Sequence, residues 1–401
     1  MHRPSDEILK KYADLLVNFA LNHWKWVNPW EVVGVEISES AKDFIIPLQD
    51  SILKTGCFPI INFSPEDWVL RNFYENANED QLKFYPKKYM KAFMSEIDHL
   101  IMIKSKKDLF ELKWIDSAKI MSRNKAAKFY YNARKKKEEA GNFSRVIAAY
   151  ATPSVADESS MRLEEYWDEI IRICYLEEKN PAQKWKELMN QMWEICEKLN
   201  NMNIEKVKVE WEWVDLEVQI WSNRKWISWR WANIPSFEIF TSPDWRGTNW
   251  KIKITQPFYR NWDVIEWMEL EFKNWIVVKS SATKNEALFK NMLDVKNGDK
   301  IWEFSLTDKR FSKVTKFMAN SLFDENFWWE YGNSHIAIGM SFFQECYKWD
   351  YTWFKRKNRE ELGFNDSAVH SDLVHSLPRT VTATLQDGSK KVIYKNGEFC
   401  I

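Results

Sequence analysis

Glycine is scarce in this chain, with 10 residues in 401 against a usual share of about 7%. Turns that need left-handed backbone therefore have few of their ordinary occupants. Cysteine is scarce too. Cys57, Cys174, Cys196, Cys346 and Cys400 are odd in number, widely spaced and free of any C-x-x-C pair. That excludes a disulfide framework and a thiolate zinc site, and it fits reduced thiols in a cytoplasmic protein. No apolar run nears the roughly 18 residues of a membrane span, and no apolar stretch follows Met1-His2-Arg3-Pro4. Neither a membrane segment nor a secretory leader is expected. An excess of one charge is also missing: Lys+Arg and Asp+Glu number 58 each. Such balance argues against nucleic acid or an anionic membrane as a partner. The charge run Arg134–Glu139 has acids directly after its bases and reads as a solvated helix face.

Tryptophan is the counterpart of the missing glycine. There are 24, and several occupy turn slots. Asn274-Trp275 lies between Phe272-Lys273 and Ile276-Val277, in the same frame as Asn396-Gly397 between Tyr394-Lys395 and Glu398-Phe399. Asn261-Trp262-Asp263 likewise matches Asn297-Gly298-Asp299. A two-residue type I′ turn needs positive φ at both central residues, which suits glycine and not an indole. The expectation is that many of these tryptophans stand for glycine, as a genetic code reading UGA as glycine would produce. Trp185, at amphipathic helical spacing, reads as ordinary packing. The alternative is a chain rich in true tryptophan, and so an aromatic-lined binding module.

The hydrophobic pattern predicts an α/β N-terminal domain over residues 1–200. A helix over 7–22 is capped by Ser5. Strands at 32–37, 59–63 and 99–103 alternate with helices, as in a parallel sheet. Residues 160–200 read as helical. From 201 to 401 the pattern becomes an α+β, β-rich domain. Short strands recur at 207–220, 236–242, 251–258, 264–272 and 275–280, helices are expected at 284–294 and 309–323, and a strand meander ends the chain. There is no repeat of solenoid length.

Three of the six histidines fall late: His335, His370 and His375. His370-Ser371-Asp372 puts an imidazole and a carboxylate on one side of an extended segment. Glu238 and Glu303 lie upstream, and Asp324-Glu325-Asn326 precedes His335. Imidazole and carboxylate donors suit Zn, Co or Mn, and bridging carboxylates suit pairs of metals. A lone Glu is more often a solvated residue, and His-x-Asp occurs by chance, so the pattern by itself leaves both readings open.

The motifs Asn233-Ile234-Pro235-Ser236-Phe237-Glu238, Trp302-Glu303, Asp324-Glu325-Asn326, His335-Ile336-Ala337-Ile338-Gly339 and His370-Ser371-Asp372 occur in this order. Together they resemble those of the thermophilic metallo-aminopeptidases, the aminopeptidase T and aminopeptidase S type, along nearly the whole chain. The resemblance implies a hydrolase that removes amino-terminal residues from peptides, with two divalent metal ions and a homodimeric assembly. Carried over by residue, Glu238, Glu303, Glu325, His335, His370 and Asp372 are its metal ligands, with Glu303 and Glu325 as the catalytic carboxylates. Glu330 competes with Glu325 for the acid/base role, because the stretch from Glu325 to His335 is longer than the family's usual spacing. The family's tyrosine seven residues after the motif histidine is Phe342 here, which has no hydroxyl to offer an oxyanion. Tyr347 is a candidate substitute. The departure keeps a catalytically impaired metal-binding relative, or a two-metal hydrolase of another amide, as alternatives. Arg379 is equally suited to orienting substrate and to capping a structural carboxylate. His375 is expected at the surface or behind the ligands, and His2, His23 and His99 in no constellation.

Overall fold

A computed structural model of the chain describes residues 3–21, 27–66, 68–228, 232–260, 263–328, 330–349, 356–367 and 370–401. His2, His23, Trp262 and Trp329 lie outside the described residues. The chain divides into two compact units. One comprises Met1–Trp185, Arg230–Pro235 and Asn261–Asp263, and the other Lys186–Trp229, Ser236–Arg260 and Val264–Ile401.

The first unit is α/β. Its parallel sheet runs Phe58–Ser64, Val32–Ser38, His99–Lys104, Ser144–Ala149 and Asn233–Ile234. The His99–Lys104 strand is buried up to its last residue, as a central parallel strand packed on both faces should be. The Ser5 hydroxyl accepts the Ile8 amide 3.3 Å away and starts the helix Asp6–Leu15. The expected helix over 160–200 is two helices, Leu163–Ile173 and Pro181–Asn201. Between them Tyr175 takes a left-handed backbone (φ 57°), and Pro181 restarts the helix where its missing N–H costs nothing. Trp185 packs as expected: it is buried, and its indole N–H donates to the Cys174 carbonyl at 3.1 Å.

The second unit is β-rich. An eight-stranded sheet has the order Ile276–Ser281, Met268–Lys273, Asp244–Ile254, Val214–Gln219, Ile204–Trp211, Thr380–Leu385, Lys390–Lys395 and Glu398–Phe399. A four-stranded antiparallel sheet has the order His370–His375, Asn333–Gly339, Ile301–Thr307 and Glu238–Thr241. Its two central strands are buried along their whole length. The helix expected over 309–323 shrinks to Ser321–Asp324. Phe311, Val314 and Met318 are buried at its apolar positions, but the backbone donors are claimed by side chains. The Asp308 carboxylate accepts the Arg310 amide at 2.9 Å, and Asp324 accepts those of Met318 and Asn320 at 2.7 and 2.8 Å. Local side-chain hydrogen bonds of this kind compete directly with a helix.

Candidate metal centre

The register of the four-stranded sheet assembles the site. Glu238 stands opposite Thr307, Ser305 opposite His335, Glu303 opposite Ala337, Ala337 opposite Asp372 and Gly339 opposite His370. Residues directly opposite one another share a face, and so do alternate residues along a strand. Glu238, Glu303, His335, His370 and Asp372 therefore all belong to one face of one sheet. The register shifts between Ile301 and Glu303, so Trp302 is the extra residue of a bulge. A bulge beside a site re-aims the side chains next to it.

Three of these side chains converge. The His335 Nε2 lies 3.0 Å from a Glu303 oxygen and 3.3 Å from a Glu238 oxygen. One donor atom from each of Glu238, Glu303 and His335 falls within 4.8 Å of the others, with all three residues buried. The Ser236 hydroxyl donates to Glu238 at 3.2 Å and fixes its carboxylate. Beside them, His370 Nε2 is 3.2 Å from Asp372, and the His370 ring lies against the Trp302 indole, centroids 4.6 Å apart.

Glu325 is buried on the turn after Ser321–Asp324, and its Oε1 has no hydrogen-bond partner among the described residues. Asn333 holds its carbonyl at 2.7 Å, and the Asn326 side chain takes the Phe237 amide at 2.6 Å, next to Glu238. Asn326 was visible in the sequence within Asp324-Glu325-Asn326, but spacing gave it no role. Glu330, the other carboxylate considered for the acid/base role, is exposed and bonded to Tyr331.

The electrostatics are those of a buried acidic pocket. Burial pushes the Glu303 carboxyl up to about 7, helped by the charge of Glu238 and opposed by His335. Burial lifts Glu325 well above the usual range, with Glu238 and Asp372 adding to it. Burial works against the charged form of His335, but hydrogen bonds and charge from Glu238 and Glu303 outweigh it and raise the imidazole well above its usual value. Asp372 is held low against its own burial by His370 and His335. Buried carboxylates, an orphaned carboxylate oxygen and an imidazole nitrogen aimed between two acids form a donor set that fits a divalent cation.

Comparison with known proteins accords with this chemistry. A family model described as thermophilic metalloprotease matches residues 5–399. The chain belongs to that family. It is a metallo-aminopeptidase by membership, a metal-dependent peptide-bond hydrolase, as its motifs led one to expect. It is 25% identical to aminopeptidase AmpS of Bacillus subtilis over 98% of each protein, and 26% identical to aminopeptidase 2 of Geobacillus stearothermophilus over 98% of this chain and 97% of that one. The fold matches that of AmpT from Thermus thermophilus with a TM-score of 0.84 at 20% identity, covering 98% and 99% of the two chains. No helix among the described residues is long and apolar enough to cross a membrane.

Other candidates are placed elsewhere. Arg379 is buried and donates to the Leu377 carbonyl and, at 3.2 Å, to that of Tyr331, a structural clamp on two backbone segments. Tyr347 stacks on Phe343 at 5.2 Å within an aromatic cluster. Phe342 packs on Trp302, centroids 4.7 Å apart. His375 is neither at the surface nor behind the ligands. It stands opposite Ser334, on the other face of the sheet from His335, and is fully buried with Nδ1 2.6 Å from the Lys253 carbonyl. Its placement carries a prediction. Burial, with Arg379 adding to it, lowers this imidazole to about 3, whereas an unfolded histidine titrates near 6.5. Between those values the unfolded chain binds the extra proton, so the stability it confers is complete above about pH 6.5 and is lost as pH falls toward 3, by roughly 3–5 kcal/mol. Denaturant melts from pH 7 to pH 4 should show the loss. It should shrink in a His375→Asn variant, whose amide can still donate to Lys253; an equal loss in both proteins would rule His375 out as its source.

Proposed function

We propose that the chain is a two-metal aminopeptidase that releases the first residue of peptides with a free amino terminus. The observation carrying this reading is the convergence of Glu238, Glu303 and His335 on one buried point, with His370, Asp372 and the orphaned Glu325 around it. Glu238, Glu303 and His335 would hold one cation, and His370 with Asp372 would hold a second. Divalent Zn, Co or Mn in those places would supply Lewis acidity, lowering the pKa of a water and polarising the scissile carbonyl.

The protein's own groups do the rest. Glu325, raised by burial and by neighbouring carboxylates, takes the proton of the attacking water and delivers it to the leaving amine. The acidic face attracts the substrate's α-ammonium and so favours a free amino terminus. With a phenylalanine at 342, the developing oxyanion gets no hydroxyl from that position. The same reading includes a homodimer and a cytoplasmic location, the latter in keeping with five cysteines that form no disulfide. A catalytically impaired relative is the second reading, favoured by Phe342 alone.

The test is amino-acid release from a short unblocked peptide with added metal, with chelator, and from its N-acetylated form. Metal-dependent release from the free peptide alone is expected. Equal cleavage of the acetylated peptide would overturn the exopeptidase reading. No release from folded, two-metal protein would leave the impaired relative.

A further inference from the structure

The backbone answers a question that the composition raised. Among the described residues, fourteen that are not glycine have positive φ, and six of them are tryptophans: Trp30 (77°), Trp68 (67°), Trp221 (65°), Trp250 (81°), Trp267 (49°) and Trp275 (73°). Five others are asparagines, whose short amide tolerates this region. A bulky side chain there is an outlier wherever it occurs, and six of one bulky type cannot be put down to local preference. The seven glycines in the same region, such as Gly56 (82°) and Gly397 (81°), show the residue such backbone normally takes.

We infer that glycine occupies these six positions in the natural protein, and that the codon written as tryptophan there is read as glycine during its synthesis. The turn at Asn274-Trp275 has φ of 51° and 73°, and that at Asn396-Gly397 has 51° and 81°. Each joins two antiparallel strands, so one backbone turn is built twice, once with each residue. At all six positions the indole is exposed, from 43% at Trp221 to 79% at Trp30, so burial gives nothing back for the strain. Most contacts of these rings are at the surface, as with Arg71 5.0 Å over Trp68 and Lys208 5.2 Å over Trp250; the Trp221 N–H also donates to the buried Asp244 carboxylate at 3.2 Å. Trp185 and Trp167 are the contrast. Both are buried in helices, one with its N–H bonded and the other edge-on to Tyr150 at 4.7 Å. They have the surroundings of tryptophans that fold the chain.

Peptide mass mapping of the protein isolated from the cells that make it, together with the codons of its gene, tests this. Glycine masses at all six positions, encoded by UGA, with tryptophan retained at 167 and 185 and encoded by UGG, are expected. A tryptophan mass at any of the six overturns the inference. A second measurement uses two recombinant chains, one as written and one with glycine at the six positions. The glycine chain should melt at the higher temperature, and an equal or lower Tm counts against the inference. Neither readout is catalytic, so the inference stands or falls apart from the aminopeptidase reading.

Discussion

Replacing Glu325 by Gln is expected to cut amino-acid release about 10²–10⁴-fold, the usual worth of a positioned general base, while leaving the metal content unchanged. Glu325 is suited to the role because it is buried, carries an oxygen with no partner and is surrounded by the charges of Glu238, Asp372 and Glu303. Those influences raise its proton affinity well above that of an ordinary carboxylate, as a proton-transferring group needs. The amide keeps the shape and removes a buried charge, so the metal-free variant should be no less stable than its parent. Glu303→Gln is the contrasting variant. Glu303 lies at hydrogen-bonding distance from His335 within the ligand cluster, so its loss should reduce metal binding itself. The readout is thermal: added divalent metal should stabilise the Glu325→Gln protein and fail to stabilise the Glu303→Gln protein. Full activity after the Glu325 change would transfer the base to Glu303.

The two variants also mark what the sequence could and could not supply. Glu238, Glu303, His335, His370 and Asp372 were legible because each sits in a short motif and the motifs keep their order. The face they share was not. It follows from the register Ser305↔His335 and Ala337↔Asp372, which is set by long-range pairing, and a one-residue slip would send each side chain to the opposite face. The choice of Glu325 over Glu330 depended on burial, which linear spacing cannot reveal. The parallel strands of the first unit were readable from apolar runs, for example Val32–Ser38 and His99–Lys104. Residues 309–323 misled because their apolar spacing is helical, while Asp308 and Asp324 capture the amides a helix would need. His375 misled for a related reason: as the last residue of an alternating strand it falls on the face away from its motif.

Replacing Trp302 by Gly is expected to leave the melting temperature unchanged or higher, and to raise metal-dependent release by about tenfold to 10²-fold. For an ordinary buried tryptophan this would be a severe change. Truncation alone costs about 3–5 kcal/mol, and glycine in a strand adds to it. Trp302 is fully buried, yet its Nε1 has no partner among the described residues, and an unsatisfied buried donor costs about 1–3 kcal/mol. It is the extra residue of the bulge before Glu303, a position where glycine allows a close backbone approach. Its ring covers His370 and Phe342, so it bears directly on the position of a proposed metal ligand. Small misplacements in such a site cost up to about 10²-fold in rate, which sets the scale of the expected gain. Trp185→Gly is the control, since that indole is buried with its N–H bonded and its loss should lower the melting temperature sharply. If both variants fall alike, Trp302 is an ordinary core residue and the wall beside His370 is part of the working site; if only the Trp185 variant falls, position 302 is built for glycine.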